Sequence, residues 1–181
     1  MRGNARSFLI GLLAGLVFIP LAALFYLKFG KPPVAVTDKP FPLEKQIVHI
    51  PLDARIQRDL IPSAPMLPSS ENLQAGAQLY RQNCAACHGL TNAISPFGAH
   101  MYPWAPQLLQ AHGQDHVVGV SDDPVGETYW KVANGIRLTG MPSFSKILSN
   151  TEMWQVSLLM ANADKTMPQP VMDLLNKPLV Y

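Results

Sequence analysis

Twenty consecutive uncharged residues near the N-terminus place the strongest constraint on how this 181-residue chain can fold. They run from Phe8 to Leu27 and read FLIGLLAGLVFIPLAALFYL. At about 1.5 Å per residue, a helix of this length crosses the roughly 30 Å hydrocarbon core of a bilayer. Pro20 is tolerated in such a helix, and Tyr26 lies where an interfacial aromatic residue is expected. The segment is therefore predicted to be a transmembrane helix in a lipid bilayer.

A cleaved secretory signal is the alternative interpretation of this segment, because Arg2 and Arg6 form a positive region in front of it. The apolar stretch is longer than that of a usual signal, and no small-x-small cleavage site follows it. We therefore expect an uncleaved anchor and a mature chain that starts at or near Met1. The positive residues on the two sides of the helix only weakly favour a cytoplasmic N-terminus, since Lys28 and Lys31 follow the helix.

A proline-rich connector follows the anchor. Residues 28–70 contain eight prolines in 43 positions and show no sustained helical or strand period, which is typical of a linker. Its apolar content nevertheless exceeds what a solvated tether requires, so part of it is expected to pack on the next domain or on a partner. The apolar residues in question are Ile47, Val48, Ile50, Leu52, Ile56, Leu60 and Ile61.

Three helices are predicted after the connector, each from its own start signal. The starts are Ser70 with Glu71, Asp123 before Pro124, and the capping-box pair Ser149 and Glu152. Gly135 is the expected stop of the second helix. No alternating strand pattern appears, so residues 71–181 are predicted to form an all-α domain. Residues 1–7, 8–27 and 28–70 are then the cytoplasmic N-terminus, the transmembrane helix and the Pro-rich linker.

Both cysteines of the chain lie in one short motif, Cys84-Ala-Ala-Cys87-His88. Two thiols one helical turn apart can add to the two vinyl groups of one haem while the histidine binds its iron. A redox Cys-x-x-Cys would need a βαβ context, and a zinc site would need a second pair of ligands. The motif therefore predicts one covalent haem c, with His88 as the proximal iron ligand.

A c-type iron also takes a sixth ligand, unless the protein is a catalyst or a gas sensor. Met141 is the candidate, 53 residues after His88 in a loop between two predicted helices. Gly140 allows close backbone approach, and Pro142 stiffens the loop. A neutral thioether favours ferrous iron, which raises the potential and suits electron transfer. His100 is the runner-up for this position.

From the motif onward the chain resembles a class I cytochrome c, over roughly residues 71–165. The resemblance rests on Gly76 and Tyr80, Cys84-Ala-Ala-Cys87-His88-Gly89, Asn134-Gly135-Ile136, Gly140-Met141-Pro142 and Trp154. More narrowly, residues 126–142 are similar to those of small membrane-anchored bacterial monohaem cytochromes. The implied fold is the all-α cytochrome c fold around one covalently bound haem.

The resemblance also implies a proximal pocket. Pro106 and Leu108 look like the family's proline and leucine beside the proximal histidine, with the proline carbonyl accepting from His88 Nδ1. Residues 91–102 look like an insertion. From residue type, Tyr129 and Trp130 are expected to pack on the haem or the core, and we include them in the predicted pocket.

These features predict a membrane-anchored carrier that passes single electrons between respiratory-chain proteins. The resemblance implies haem attachment outside the bacterial cytoplasm, so the haem domain should face the periplasm. A formal charge of +2 excludes a strongly basic nucleic-acid binder, and neither catalysis nor a small-molecule substrate is expected. Two alternatives stay open: a fixed electron-transfer subunit of a larger membrane oxidoreductase, and a haem enzyme or sensor with an open iron.

Overall fold

Helices make up the regular structure of this protein in the computed structural model, which describes residues 2–113 and 116–179. In these ranges the α-helices are α1 Arg2–Phe29, α2 Glu44–Asp59, α3 Ser70–Asn83, α4 Ala85–His88, α5 Val125–Asn134, α6 Asn150–Ala161 and α7 Gln169–Asn176. Bridges between strands are limited there to two isolated pairs. The predicted all-α class is confirmed. The backbone forms two compact units, one up to Glu44 and one from Lys45 onward.

The first unit contains α1, which is longer than the apolar stretch that predicted it. Its section Asn4–Phe29 has a mean hydropathy of 2.6 in its most apolar window and is long enough to cross a membrane. The apolar side chains along it are exposed, as expected for a helix whose solvent is lipid. Pro20 lies inside the helix without ending it.

Helix α2 lies where the sequence predicted an aperiodic linker. Its first turn is favoured by Glu44, whose carboxylate accepts from the Phe41 amide at 2.8 Å, and Arg58 lies in its last turn. Pro51 interrupts the helical hydrogen bonding but not the helix. Ile56 is only 2% exposed, so this part of the connector packs within the second unit, against the domain that follows it, as its apolar content indicated.

The core of the second unit forms where α3 crosses α6. At the crossing, a side chain on Gly76 would collide with the Gln155 carbonyl and lie 3.2 Å from Leu159 Cβ, so the close approach needs glycine. Helix α7 packs on α3, and α5 packs on α6. The largest side chains buried at this centre are Tyr80, Leu90, Val156, Leu159, Met160, Val171 and Leu175.

The helix ends agree with the sequence in part. The Ser149 and Glu152 capping box of α6 is confirmed, with both of its hydrogen bonds present. Gly135 ends α5 with φ of 68°, also as predicted. Two predicted caps are wrong by one residue. Helix α3 is capped by the Ser69 hydroxyl, and the residue before α5 is Pro124, whose ring cannot form a capping hydrogen bond.

Candidate functional site

An apolar cavity of about 400 Å³ in the second unit brings together most of the predicted site residues. Its size is within the range of small-molecule and cofactor pockets. The predicted residues that line it are Cys84, Cys87, His88, Pro106, Leu108 and Met141. Apolar side chains from other elements complete the wall, among them Val132, Phe144, Val156 and Met160.

The two cysteines reach this cavity because α3 and α4 meet at Cys84. This residue is the C-cap of α3 and the N-cap of α4, and α4 is a single turn that ends at His88. The Cys87 and His88 amides both donate to the Cys84 carbonyl, at 3.0 and 2.9 Å. One helical turn therefore separates the two thiols and directs the imidazole into the same space.

The His88 imidazole is oriented by a hydrogen bond at one ring nitrogen. Its Nδ1 lies 2.8 Å from the Pro106 carbonyl, which is the contact that the family resemblance implied. A carbonyl oxygen can only accept, so Nδ1 carries the proton and Nε2 keeps its lone pair. Burial lowers the pKa of His88, which favours the neutral ring that binds metals. Nε2 is thus the available iron ligand.

The thiol chemistry argues against the two alternatives to haem. Burial, and then the neighbouring Cys87, raise the pKa of the Cys84 thiol to about 12. A catalytic redox Cys-x-x-Cys needs a lowered thiol pKa, so Cys84 is unsuited to that role. Among the described residues, no three His, Cys, Asp or Glu side chains lie close enough to share a metal ion, as a zinc site would require.

The carbonyls around the motif are held by side chains from outside it. The buried Tyr80 hydroxyl donates to the Gly89 carbonyl at 2.9 Å and to the His88 carbonyl at 3.2 Å. The Leu108 backbone amide also donates to the His88 carbonyl, at 3.2 Å. A helix of one turn cannot satisfy its own last carbonyls, and these contacts fix its C-terminal end.

Residues 91–102, which the resemblance marked as an insertion, contribute to the same support. The Ser95 hydroxyl donates to the Ala86 carbonyl, and its amide donates to Gln107 Oε1 at 2.6 Å. The other end of the Gln107 amide donates to the Cys87 carbonyl at 3.3 Å. Gly98 packs so closely on the Cys87 carbonyl that a Cβ there would collide with it. No sequence pattern predicts these contacts, because single Ser and Gln residues in a loop form none.

Met141 lies on the loop between α5 and α6. Its amide donates to Thr139 Oγ1 at 3.1 Å, and its carbonyl accepts from the Ile136 amide at 3.2 Å. Gly135 turns the chain where a Cβ would lie 2.6 Å from the backbone of residues 142 and 143. The Met141 thioether is thus carried by a loop whose backbone is fixed by hydrogen bonds at the Met141 amide and carbonyl.

Another candidate methionine, on a loop, lines the same cavity and was not predicted. Met101 reaches it from the inserted segment, and its Cε occupies the place where Gly140 would carry a Cβ. Gly140 therefore makes room for Met101. His100, the runner-up ligand, is exposed in the short 3-10 turn Gly98–His100 and does not line the cavity.

Tyr129 and Trp130 are also placed outside the cavity lining. The Tyr129 ring stacks on Trp154 with centroids 4.1 Å apart, and Trp130 Nε1 donates to Asp59 at 3.3 Å. Helical phase explains the difference from the prediction. The cavity-lining residues of α5 are Glu127, Thr128, Lys131 and Val132, so the two positions between these pairs face elsewhere. We therefore assign both aromatic residues to packing outside the cavity.

Helix α2 supplies the other lining residues that were not predicted: His49, Leu52 and Asp53. Their spacing is i, i+3 and i+4, and Ile56 continues the series at i+7. This is the pattern of one helical face, and it was the signal available in the sequence. The prolines of the connector, including Pro51, obscured it.

A motif of two cysteines and a histidine on a helical scaffold, with a methionine across an apolar cavity, defines a class I cytochrome c domain. Comparison with protein families agrees, because residues 71–160 match the family model described as "Cytochrome C oxidase, cbb3-type, subunit III". With the apolar helix α1 in front of this domain, the protein is a membrane-anchored c-type cytochrome.

Comparison with individual proteins adds little to this. The curated proteins contain no match. Among solved structures, a chain of the reducing HAO-like protein complex of Kuenenia stuttgartiensis is similar, with 21% identity and a TM-score of 0.42. The match covers 57% of this chain and 49% of that one, so it spans about half of the solved chain's length.

Proposed function

We propose that this protein is a single-electron carrier with one covalent haem c, attached through Cys84 and Cys87 and bound at the iron by His88 and Met141. It is not itself a catalyst. The observation that carries the proposal is the common cavity, in which both thiols, the free Nε2 side of His88 and the Met141 side chain meet. This donor set fits haem c, since imidazole and thioether are the axial ligands typical of electron-transfer cytochromes.

When bound, the haem supplies a reversible one-electron couple. The chain holds the ligands and sets their surroundings. The Pro106 carbonyl fixes the imidazole tautomer at His88, while Tyr80 and Gln107 secure the backbone on either side of it. The apolar lining keeps water out, and a neutral thioether disfavours the ferric charge, so both effects raise the potential.

We further propose that the haem domain faces the periplasm from the bacterial inner membrane, with redox proteins of a respiratory chain as partners. The proposed boundaries are residues 1–7 for the cytoplasmic terminus, 8–27 for the membrane span, 28–70 for the connector and 71–181 for the haem domain. Transfer of electrons without substrate chemistry requires only that the haem be six-coordinate and reachable by a partner.

A second candidate function is that of a fixed electron-transfer subunit in a larger membrane oxidoreductase. The description of the matching family model, an oxidase subunit, favours it. Purification of the native protein in mild detergent distinguishes the two roles. Stoichiometric companions that persist through size exclusion support the fixed subunit, and isolation of the protein alone supports the free carrier.

Replacement of Met141 tests the proposed iron ligation. Ferric wild-type protein should show the weak long-wavelength band of thioether-to-iron charge transfer and, when reduced, should bind carbon monoxide poorly. Met141→Ala should remove the band, open the iron to carbon monoxide and lower the potential, while the haem stays attached through both cysteines.

The matched control is Met101→Ala, which removes another thioether that lines the cavity, one carried by residues 91–102. It should keep the band. A band that survives Met141→Ala but disappears in Met101→Ala would refute the ligand assignment. A high-spin wild-type protein would refute the carrier and favour the enzyme or sensor with an open iron.

A further inference from the structure

One face of α2 lies against the cavity that we assign to the haem. His49, Leu52 and Asp53 line it, and these residues occupy successive positions on a single helical face. One turn further on, Ile56 is 2% exposed. By contrast, Ile47, Val48 and Ile50 on the same helix are exposed. Helix α2 is thus seated by one face, and the same face reaches the cavity.

One contact at the end of α2 and one just beyond it hold this segment against α5, and a bond within α2 orients the Asp59 carboxylate. Trp130 Nε1 donates to the Asp59 carboxylate at 3.3 Å, and Arg55 Nε donates to the same carboxylate at 2.5 Å. Just beyond the helix, the Ile61 carbonyl lies where Gly126 would carry a Cβ. A side chain at residue 126 would therefore displace the chain that follows α2. Glycine at this position permits the close docking.

We propose that α2 forms a wall of the haem site, in which Leu52 contacts the bound haem and covers it from solvent on that side. The side chains of His49 and Asp53 also line the cavity but are 52% and 61% exposed, so they form the solvent edge of this wall. The inference rests on the proposed function, since it takes the cavity to be the haem site. The segment between anchor and haem domain then has a second role. It covers the cofactor in addition to tethering the domain.

The wall closes the α2 side of the haem, so small molecules and partner proteins can approach only from the other side. Small molecules cannot enter past α2 while Ile56 is seated. The remaining rim, which includes the exposed Trp104, belongs to the loop around Pro103 and Trp104 and to the Met141 loop. Electron exchange with a partner is therefore expected on that side, and unseating α2 should add a second route for small reactants.

Proton NMR of the reduced full-length protein in detergent tests the contact directly. Side chains against a haem ring experience its ring current, so the Leu52 methyl resonances should lie well upfield of their usual range. Leu52→Ala assigns them by their loss. Leu52 methyls at ordinary positions, in protein with its full haem content and Met141 bound, would overturn the wall while leaving the proposed function intact.

A pair of variants tests the exclusion of solvent. Ile56→Asn makes the seated position polar, while Ile50→Asn makes the same change at a position that is 68% exposed. Loss of a buried isoleucine side chain should raise the unseated population roughly tenfold or more. Ascorbate should therefore reduce the ferric Ile56→Asn protein several-fold faster than wild type, and its potential should fall as water reaches the haem.

The Ile50→Asn control should match wild type in both the reduction rate and the potential. Equal behaviour of the two variants, with haem content and the thioether band retained, would overturn the proposal. If Ile56→Asn fails to fold, the Leu52 methyl resonances of the wild-type protein still show whether α2 contacts the haem. Failure of the proposed function gives a different result, namely protein without covalent haem or without the Met141 band.

Discussion

The hydroxyl of Tyr80 offers a sharp test of how the structure supports its proximal side. The residue is 0% exposed, and burial raises its pKa, so the hydroxyl stays protonated and acts as a donor. Tyr80→Phe removes this donor without removing the ring. The His88 carbonyl keeps the Leu108 amide at 3.2 Å, whereas the Gly89 carbonyl loses the 2.9 Å bond from Tyr80.

The expected cost follows from these contacts. A typical hydrogen bond contributes about 1 kcal/mol net, and a buried group left without its partner costs about 1–3 kcal/mol. One buried acceptor is affected, and the ring still fills its space, so no large cavity forms. We therefore expect Tyr80→Phe to lower the free energy of unfolding by about 1–3 kcal/mol.

Denaturant unfolding of the haem-loaded protein measures this difference, with an unchanged m-value as the sign that the denatured state is the same. Tyr129→Phe is the matched control, because its hydroxyl bonds the exposed Asn150 side chain at 3.2 Å. Its loss should cost less than about 0.5 kcal/mol. Equal stabilities of Tyr80→Phe and wild type, or equal losses in the two variants, would refute the reasoning.

Three further predictions concern the packing, the pH dependence and the charge of the haem domain. Gly76→Ala drives a methyl group into the Gln155 carbonyl, so calorimetry should show a loss of about 1–3 kcal/mol, whereas Ser7→Ala in the anchor should leave the domain's transition unchanged. Hydrogen bonds from Ser149 lower the pKa of Glu152 below its usual value of 4.5. The ionised carboxylate therefore stabilises the folded protein fully above pH 4.5, and this contribution is lost as the pH falls through the lowered pKa. The free energy of unfolding of Glu152→Gln, measured against pH, should lack this loss in acid. Identical pH profiles for the variant and wild type would contradict the capping argument. Residues 71–181 hold six basic and eight acidic side chains, a net charge of −2, so a redox partner is expected to dock through a neutral or basic patch and the association rate should fall as salt rises. A salt-independent rate in stopped-flow measurements would exclude electrostatic attraction.

The parts of this protein that the structure places where the sequence indicated have local signals. The capping box of α6 needs only Ser149 and Glu152, three residues apart. The thiols and imidazole of the haem motif lie within five consecutive residues, and their spacing alone specifies one helical turn. The Met141 loop is marked by the glycines and proline around it. In each case the physical cause lies within a few residues, so one window of sequence contains it.

The parts that were missed depend on contacts between distant segments. Met101 comes to Gly140 across 39 positions of sequence, and Gln107 reaches back 20 positions to the Cys87 carbonyl. Neither residue type signals such a role. Tyr129 and Trp130 were misplaced for a related reason. Residue type indicated that they would be packed, but only the docking of α5 decides which of its faces meets the cavity.

Helix α2 shows how tertiary packing can decide secondary structure. A 16-residue segment with Pro51 in its middle is a poor helix in isolation, since a proline there removes a hydrogen bond and costs about 3 kcal/mol. Burial of Ile56 and the bond between Asp59 and Trp130 exist only when the segment is docked. Its helicity and its place at the cavity therefore depend on the same contacts. A change that unseats α2 should consequently also unwind it, so amide hydrogen exchange across residues 52–59 should quicken in Ile56→Asn and stay slow in Ile50→Asn. Exchange that stays slow in both variants would show that the helix persists without its docking site.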